Sequence, residues 1–390
     1  MRRGLPIALA FVVGIGAGTV PAAAGSNAVN NAIEQFQKGD TDGAIAMLSD
    51  AIASGDLSQF DAAVAHYDRG MIYGLKGDRD KAIADYSAAI GLRPEYGNAY
   101  RMRANAYLNK GDYDRAIADF TALLKFDPTN NEARVNLAHA YHAAGRDAEA
   151  FASYDSALKI HPSAYAYEGR GLLHLERGEK AKAIADLSAA ITLDPKDAAA
   201  YVNRGNAYAD ERKFASAVAD YEAALKLKPD DLNIRIARAN AYTKWGKADL
   251  AIAEYDAALT KQPNDAALLR ARGTAYLSER AYTKAMADFD AALKLAPDDI
   301  ATLINRGAVH FALGRYAKAI ADYRTALRIA PNDARLYNNL GNAYAAQGKL
   351  DRAIAEYDRA LEIQPGYSEA VRNRKGALKA KRTGRKIRAR

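Results

Sequence analysis

The chain holds 390 residues, 49% apolar and 26% charged, an ordinary globular composition that excludes wholesale disorder and collagen-like sequence. It contains no cysteine, which excludes disulfides, thiolate metal sites, iron–sulfur clusters and a cysteine nucleophile. The formal charge of +8 is local: residues 370–390 hold ten cations and no acid, and the first 24 residues add Arg2 and Arg3. The stretch 25–369 carries 43 cations against 47 acids, a net of −4, so the basic balance is no argument for nucleic-acid binding.

Taken from the N-terminus, Arg2 and Arg3 precede an apolar run from Leu5 to Val20, then Pro21 and Ala22, Ala23 and Ala24. A charged start, a short apolar stretch and an A-x-A pattern predict a signal peptide over 1–24, cleaved after Ala24. The alternative is an uncleaved signal anchor. With no Asn-x-Ser/Thr acceptor in the chain, export to a bacterial periplasm, or secretion, is the expected destination.

The mature chain runs on a 34-residue ruler. Prolines recur at 94, 128, 162, 195, 229, 263, 297, 331 and 365, with one slip of a residue at 162–195. The ruler divides 63–367 into nine repeats: 63–96, 97–130, 131–163, 164–197, 198–231, 232–265, 266–299, 300–333 and 334–367. Residues 25–62 form a degenerate first unit in which Gly39, Ala44, Leu48 and Ala51 keep the second half of the pattern.

Each position of the ruler has a physical task. Position 8 is Gly or Ala and position 20 is always Ala, from Ala82 to Ala353, so two helices of a hairpin can cross closely there. Position 15 is Gly in seven repeats, suited to a chain leaving a helix in the left-handed region, while Arg212 and Arg280 occupy it at some cost. The proline at position 32 stops the second helix, and Asp231, Asp265, Asp299 and Asp333 are placed to cap the next one. Thirteen of the 24 tyrosines fall at positions 11 and 24, as large apolar wedges with a hydroxyl that can reach the rim.

These repeats resemble tetratricopeptide repeats. Residues 334–367 match that pattern best, with Tyr337, Leu340, Gly341, Tyr344, Gly348, Ala353, Tyr357, Ala360 and Pro365 in place. The resemblance implies an all-α fold, an α-solenoid of stacked helix-turn-helix hairpins in a right-handed superhelix with a concave groove. It predicts a capping helix over 368–381, with Val371 and Leu378 seated on the last repeat and the cations facing water. A basic tail over 382–390 follows.

Catalytic patterns are missing. No phosphate-cradling glycine loop, Gly-x-Ser-x-Gly elbow or His-Glu-x-x-His helix is present, so neither an enzyme nor a cofactor is expected. His174 and His310 take the place of a position-11 tyrosine and read as structure. His139 and His142 are three apart on one helix but have no third ligand in sequence, so no metal is expected. Trp245, beside Gly246, reads as a packed turn residue.

The resemblance places first-helix positions 2, 5, 6, 9, 12 and 13 on the groove. Asparagine recurs at position 6 (Asn136, Asn203, Asn305, Asn339) and position 9 (Asn105, Asn206, Asn240, Asn342). A file of amides can follow a peptide backbone, because each both donates and accepts; ordering of the hairpins is the alternative use. His139 shares that file. Arg101, Asn105 and Asn136 resemble part of the family's clamp on a peptide C-terminal carboxylate, but Leu172 and Glu176 stand where it wants cations. Arg270 with Asn305 and Arg335 is a second, equally incomplete basic cluster.

The expected function is therefore an exported interaction scaffold that holds a protein or peptide partner in its groove. The rival is an anionic-surface binder, of lipid or polyanion, acting through Arg372, Arg374, Lys375, Lys379, Lys381, Arg382, Arg385, Lys386, Arg388 and Arg390. That stretch has no aromatic residue for base stacking, so nucleic acid is not the expected partner.

Overall fold

The computed structural model describes residues 27–383; the signal stretch and Arg385, Lys386, Arg388 and Arg390 lie outside the described residues. Among the described residues there are 21 α-helices and no strand, in two compact units that part between Leu173 and His174.

The first unit contains α1 (Asn27–Gln37), α2 (Thr41–Ser54), α3 (Gln59–Leu75), α4 (Arg79–Leu92), α5 (Gly97–Lys110), α6 (Tyr113–Phe126), α7 (Asn131–Ala143), α8 (Asp147–Ile160) and most of α9 (Ala164–Glu176). The second contains α10 (Lys180–Leu193), α11 (Ala198–Asp210), α12 (Phe214–Leu227), α13 (Leu232–Trp245), α14 (Ala248–Lys261), α15 (Ala266–Ser278), α16 (Tyr282–Leu295), α17 (Ile300–Ala312), α18 (Tyr316–Ile329), α19 (Ala334–Ala346), α20 (Leu350–Ile363) and α21 (Ser368–Thr383). Within each unit the helices pair as antiparallel hairpins, and each hairpin stacks on the next, a helical repeat solenoid.

Local chemistry sets the joints. Asp231, Asp265, Asp299 and Asp333 cap α13, α15, α17 and α19 by accepting from backbone amides of the first turn. The turn inside each hairpin needs a left-handed residue, supplied by glycines such as Gly111, Gly246 and Gly348. Arg212 and Arg280, with φ of 60° and 57°, are the non-glycine residues of positive φ among the described residues.

The crossing of the two helices is set by one contact. A Cβ at Gly307 would lie 2.5 Å from the Tyr323 ring, and one at Gly341 would lie 2.6 Å from the Tyr357 ring. The ring therefore lies where the first helix has no side chain, with the position-20 alanine buried beside it. Burying each such ring contributes about 2 kcal/mol.

A second device is ionic. Arg69, Arg103, Arg204, Arg272 and Arg306 stand at position 7 and donate Nε and Nη2 to both oxygens of Asp85, Asp119, Asp220, Asp288 and Asp322 at position 23. The remaining Nη1 reaches back to position 25 of the preceding hairpin: Ser49, Ser87, Ser188, Asp256 and Asp290. All five position-23 carboxylates are buried. At α19 the pattern is inverted: Leu340 holds position 7, Glu356 position 23, and Arg324 of the preceding hairpin donates to Tyr344 Oη at 2.6 Å.

The cap differs from expectation. On α21 it is Ala370, Ala377 and Ala380 that are buried, while Val371 and Leu378 are 47% and 42% exposed. The helix docks as a first helix does, through its small residues. Asn373 donates to the buried Asn338 at 2.9 Å and Arg374 pairs with Asp358. Trp245 is likewise not packed: it is 40% exposed, with Lys247 5.6 Å above its ring.

Candidate functional site

In the second unit the position-9 asparagines are oriented by the second helix of their own hairpin. Tyr221, Tyr255 and Tyr357 donate their hydroxyls to Oδ1 of Asn206, Asn240 and Asn342, each at 2.7 Å. Burial pushes the three phenols up, so they stay protonated donors; Tyr221 reaches about 12. With Oδ1 engaged, the nitrogen of each amide remains as its donor; Asn206 and Asn240 are exposed and Asn342 is half-buried. These amides therefore offer hydrogen-bond donors on the first helices, with Oδ1 of each already engaged.

The position-6 asparagines behave differently. Asn305 on α17 donates to Thr274 Oγ1 on α15 at 3.0 Å, tying adjacent first helices together. Asn203 and Asn339 are half-buried on α11 and α19. Arg270 is turned to Asp299, the cap of α17, at 2.9 Å, and Arg335 is turned to Asp333, the cap of its own helix, at 2.8 Å. Arg270, Asn305 and Arg335 are thus each bound to a different neighbour and form no shared cationic pocket.

In the first unit, Arg101 Nη1 lies 3.2 Å from Glu132 Oε1. Asn105 and Asn136 are half-buried, and the ring opposite Asn105 is Phe120, which has no hydroxyl to orient the amide. His139 replaces asparagine at position 9, and Tyr154 Oη lies 3.1 Å from its Nδ1. Burial, then the neighbouring His142, lowers His139 to about 4, so the ring is neutral near pH 7. His142 faces Asp147 at 3.0 Å, and no group of three metal-ligating side chains occurs among the described residues. Tyr165 stands beside His139 with ring centroids 5.0 Å apart.

Two features escaped sequence reasoning. The position-7 arginines with an acid 16 residues later are visible in the ruler at 69, 103, 204, 272 and 306, and that spacing was the available signal. Asp68 was the other. It sits at position 6 of the first full repeat, where no asparagine drew attention, with neither a hydrogen bond nor an ion pair among the described residues. Burial alone raises it to about 7.

On α21, Arg374 and Lys381 are paired with Asp358 and Asp351, whereas Arg372, Lys375, Lys379 and Arg382 are exposed. No helix among the described residues is long and apolar enough to cross a membrane.

Models of the tetratricopeptide repeat match residues 63–96, 101–165, 198–231, 236–300 and 334–367, and a further model of the TPR repeat matches 171–211 and 307–348. Among solved structures, the chain is similar to the APC/C hetero-tetramer Cut9–Hcn1 at 18% identity, over 90% of this chain and 83% of that one, with a TM-score of 0.48. It is similar to yeast Tom70 at 14% identity, over 92% and 95%, with a TM-score of 0.44. It is similar to MamA at 29% identity, over 44% and 94%, with a TM-score of 0.40. No curated protein matches the chain in sequence. With its 34-residue ruler, its glycine-and-ring hairpin crossings and repeat models matching from residue 63 to residue 367, the chain belongs to the tetratricopeptide repeat family.

Proposed function

We propose that this protein is an exported interaction scaffold, without catalytic activity of its own, that holds a segment of a partner protein against its first helices. The observation that carries this reading is the row of asparagines at 206, 240 and 342, whose carbonyl oxygens are occupied by tyrosine hydroxyls. Amides held in this way offer fixed donors to the carbonyl oxygens of an extended segment, independent of its sequence. A site ordered before binding loses little of its interaction free energy to ordering itself. Residues 1–24 support a periplasmic or secreted location for that partner.

The test is a pull-down from envelope extract with the mature chain and its Asn206→Ala/Asn240→Ala/Asn342→Ala variant, at low and physiological salt. A partner held at physiological salt by the parent and lost by a variant with an unchanged unfolding midpoint supports the groove. Equal capture by both chains sinks it.

A second reading has one observation in its favour, the four exposed cations of α21. They would attract an anionic lipid or polyanion, with affinity falling steeply as salt rises. Capture lost on replacing Arg372, Lys375, Lys379 and Arg382 by glutamine, with the asparagine row intact, would favour it.

A further inference from the structure

The carboxyl of Asp68, at a position 6 that the resemblance places on the groove, is chemically unfinished. It lies on α3 at half-burial, yet no arginine, lysine or hydroxyl of the described residues bonds it. Its oxygens are not among the sealed, unpartnered polar atoms, so a route to solvent remains. The buried carboxylates Asp85 and Asp119 of the first unit are answered, Asp85 by Arg69 and His66 and Asp119 by Arg103.

The surroundings are aromatic. The Tyr67 ring stands 5.1 Å from that of Tyr96 and 5.9 Å from that of Tyr86, tilted to both. Burial raises all three phenols, and the charge of Asp68 adds to each, which places the carboxylate within electrostatic reach of the three rings. Tyr67 comes from α3, Tyr86 from α4, and Tyr96 from the residue before α5. Two cations border the cluster and both are engaged: Arg93 lies 5.0 Å from the Tyr96 ring and 5.1 Å from that of Phe60, and Arg101 pairs with Glu132. The cluster thus already shows, on its outer side, that its rings accept a guanidinium.

We propose that Asp68, next to Tyr67 on α3 and near the ring cluster that Tyr67 forms with Tyr96, is the receptor for a lysine or arginine side chain carried by the segment bound in the first unit. The carboxylate supplies the charge-assisted hydrogen bond, and the ring faces supply the cation–π attraction. A carboxyl left without a partner by the fold gains one from the ligand. This deepens the groove reading and rests on it, since the cation is taken to arrive on a partner segment. It differs from that reading in unit and in residue, so the two fail separately.

The experiment titrates the mature chain, isotopically labelled at aspartate and tyrosine, with the peptide Ac-Ala-Lys-Ala-NH2. Parallel arms use n-butylammonium chloride and matched sodium chloride. The expected result is saturable movement of the Asp68 carboxyl and the Tyr67 and Tyr96 ring signals with peptide and amine, but not with sodium. Asp68→Asn lowers affinity roughly tenfold or more. Binding is tighter near pH 8 than near pH 5.5, because a carboxyl held at about 7 must ionise to pair. Unfolding midpoints confirm that Asp68→Asn is folded, and Tyr96→Leu provides a variant that spares the carboxyl and weakens binding. Movement no different from sodium chloride overturns the proposal, as does unchanged affinity in Asp68→Asn. Binding of the free amine with none of the peptide overturns it as a receptor for a partner's side chain. Equal partner capture by the parent and the asparagine variant, with lysyl-peptide binding intact, sinks only the groove reading of the second unit.

Discussion

Arg306 Nη2 stands 2.6 Å from Asp322 Oδ1, and its Nε stands 3.0 Å from the other oxygen, so one guanidinium covers both faces of one buried carboxylate. The same fork recurs in hairpin after hairpin. Removing Asp322 strips the guanidinium of two of its three hydrogen bonds and leaves it Asp290 alone, so Asp322→Ala should cost about 2–3 kcal/mol. The double replacement Arg306→Met/Asp322→Leu should recover most of that loss. Urea unfolding of the parent and these two variants checks it, and an Asp322→Ala cost below about 1 kcal/mol would show the fork to be a surface pair in effect.

The acid end of the stability profile follows from Asp85. Burial pulls its carboxyl up, but the hydrogen bonds from Arg69 and His66 win, and the group ends below its ordinary range. A depressed folded value means stability that is present above the unfolded value, near 3.9, and lost as pH falls through the folded one. Arg69→Gln should therefore unfold at a higher pH than the parent in an acid titration followed by circular dichroism. Unchanged acid midpoints would contradict this.

Asp68 gives the opposite slope. Unfolded, it ionises near 3.9; folded, near 7, so between those values the native state alone keeps the proton and stability declines as pH rises. Asp68→Asn removes that decline. It should match the parent near pH 4 and exceed it near pH 8, by about 4 kcal/mol. Denaturant midpoints at both pH values decide the matter, and a gain of the same size at each would remove burial of the charge as its cause.

Arg212 and Arg280 hold a left-handed backbone without glycine's freedom. Replacing each by Gly should raise stability by about 1 kcal/mol, against the usual direction for glycine substitution. Arg→Ala at the same positions should gain nothing, since its Cβ keeps the strain. Thermal midpoints for the two series separate strain from loss of the side chain.

Gly307 reverses the common rule that alanine stabilises helices. An added Cβ would meet the Tyr323 ring at 2.5 Å, so overpacking of about 1–3 kcal/mol outweighs the gain in helix propensity. Gly307→Ala should lower the unfolding midpoint. A rise would mean that the hairpin opens at little cost.

The hairpins were legible because a repeat states each constraint seven to nine times. Small residues at positions 8 and 20, glycine at 15 and proline at 32 each report a steric or backbone limit that one residue can show. The cap was misread because Val371 and Leu378 look like core by hydropathy, whereas contact with the last hairpin depends on which face is narrow, and Ala370 and Ala377 lie on it. The state of the asparagines was open for a related reason. Sequence places an amide on the groove, but only the tyrosine opposite decides which half of it is free. Asp68 stayed hidden because its distinction is a missing neighbour, which no spacing encodes.

The backward reach of the position-7 arginines bears on how such a chain can change length. Loss of a 34-residue block preserves helical phase, but it also chooses a new position-25 residue for the next arginine to meet. Excision of 300–333 would set Asp290 before a hairpin whose position 7 is Leu340, a pairing without conflict. Excision of 334–367 would bring Arg324 against Arg374, two guanidiniums where Asp358 now answers one. Gene rearrangements of equal size therefore have unequal consequences, and the order of the repeats is constrained by charge even though their shape is not.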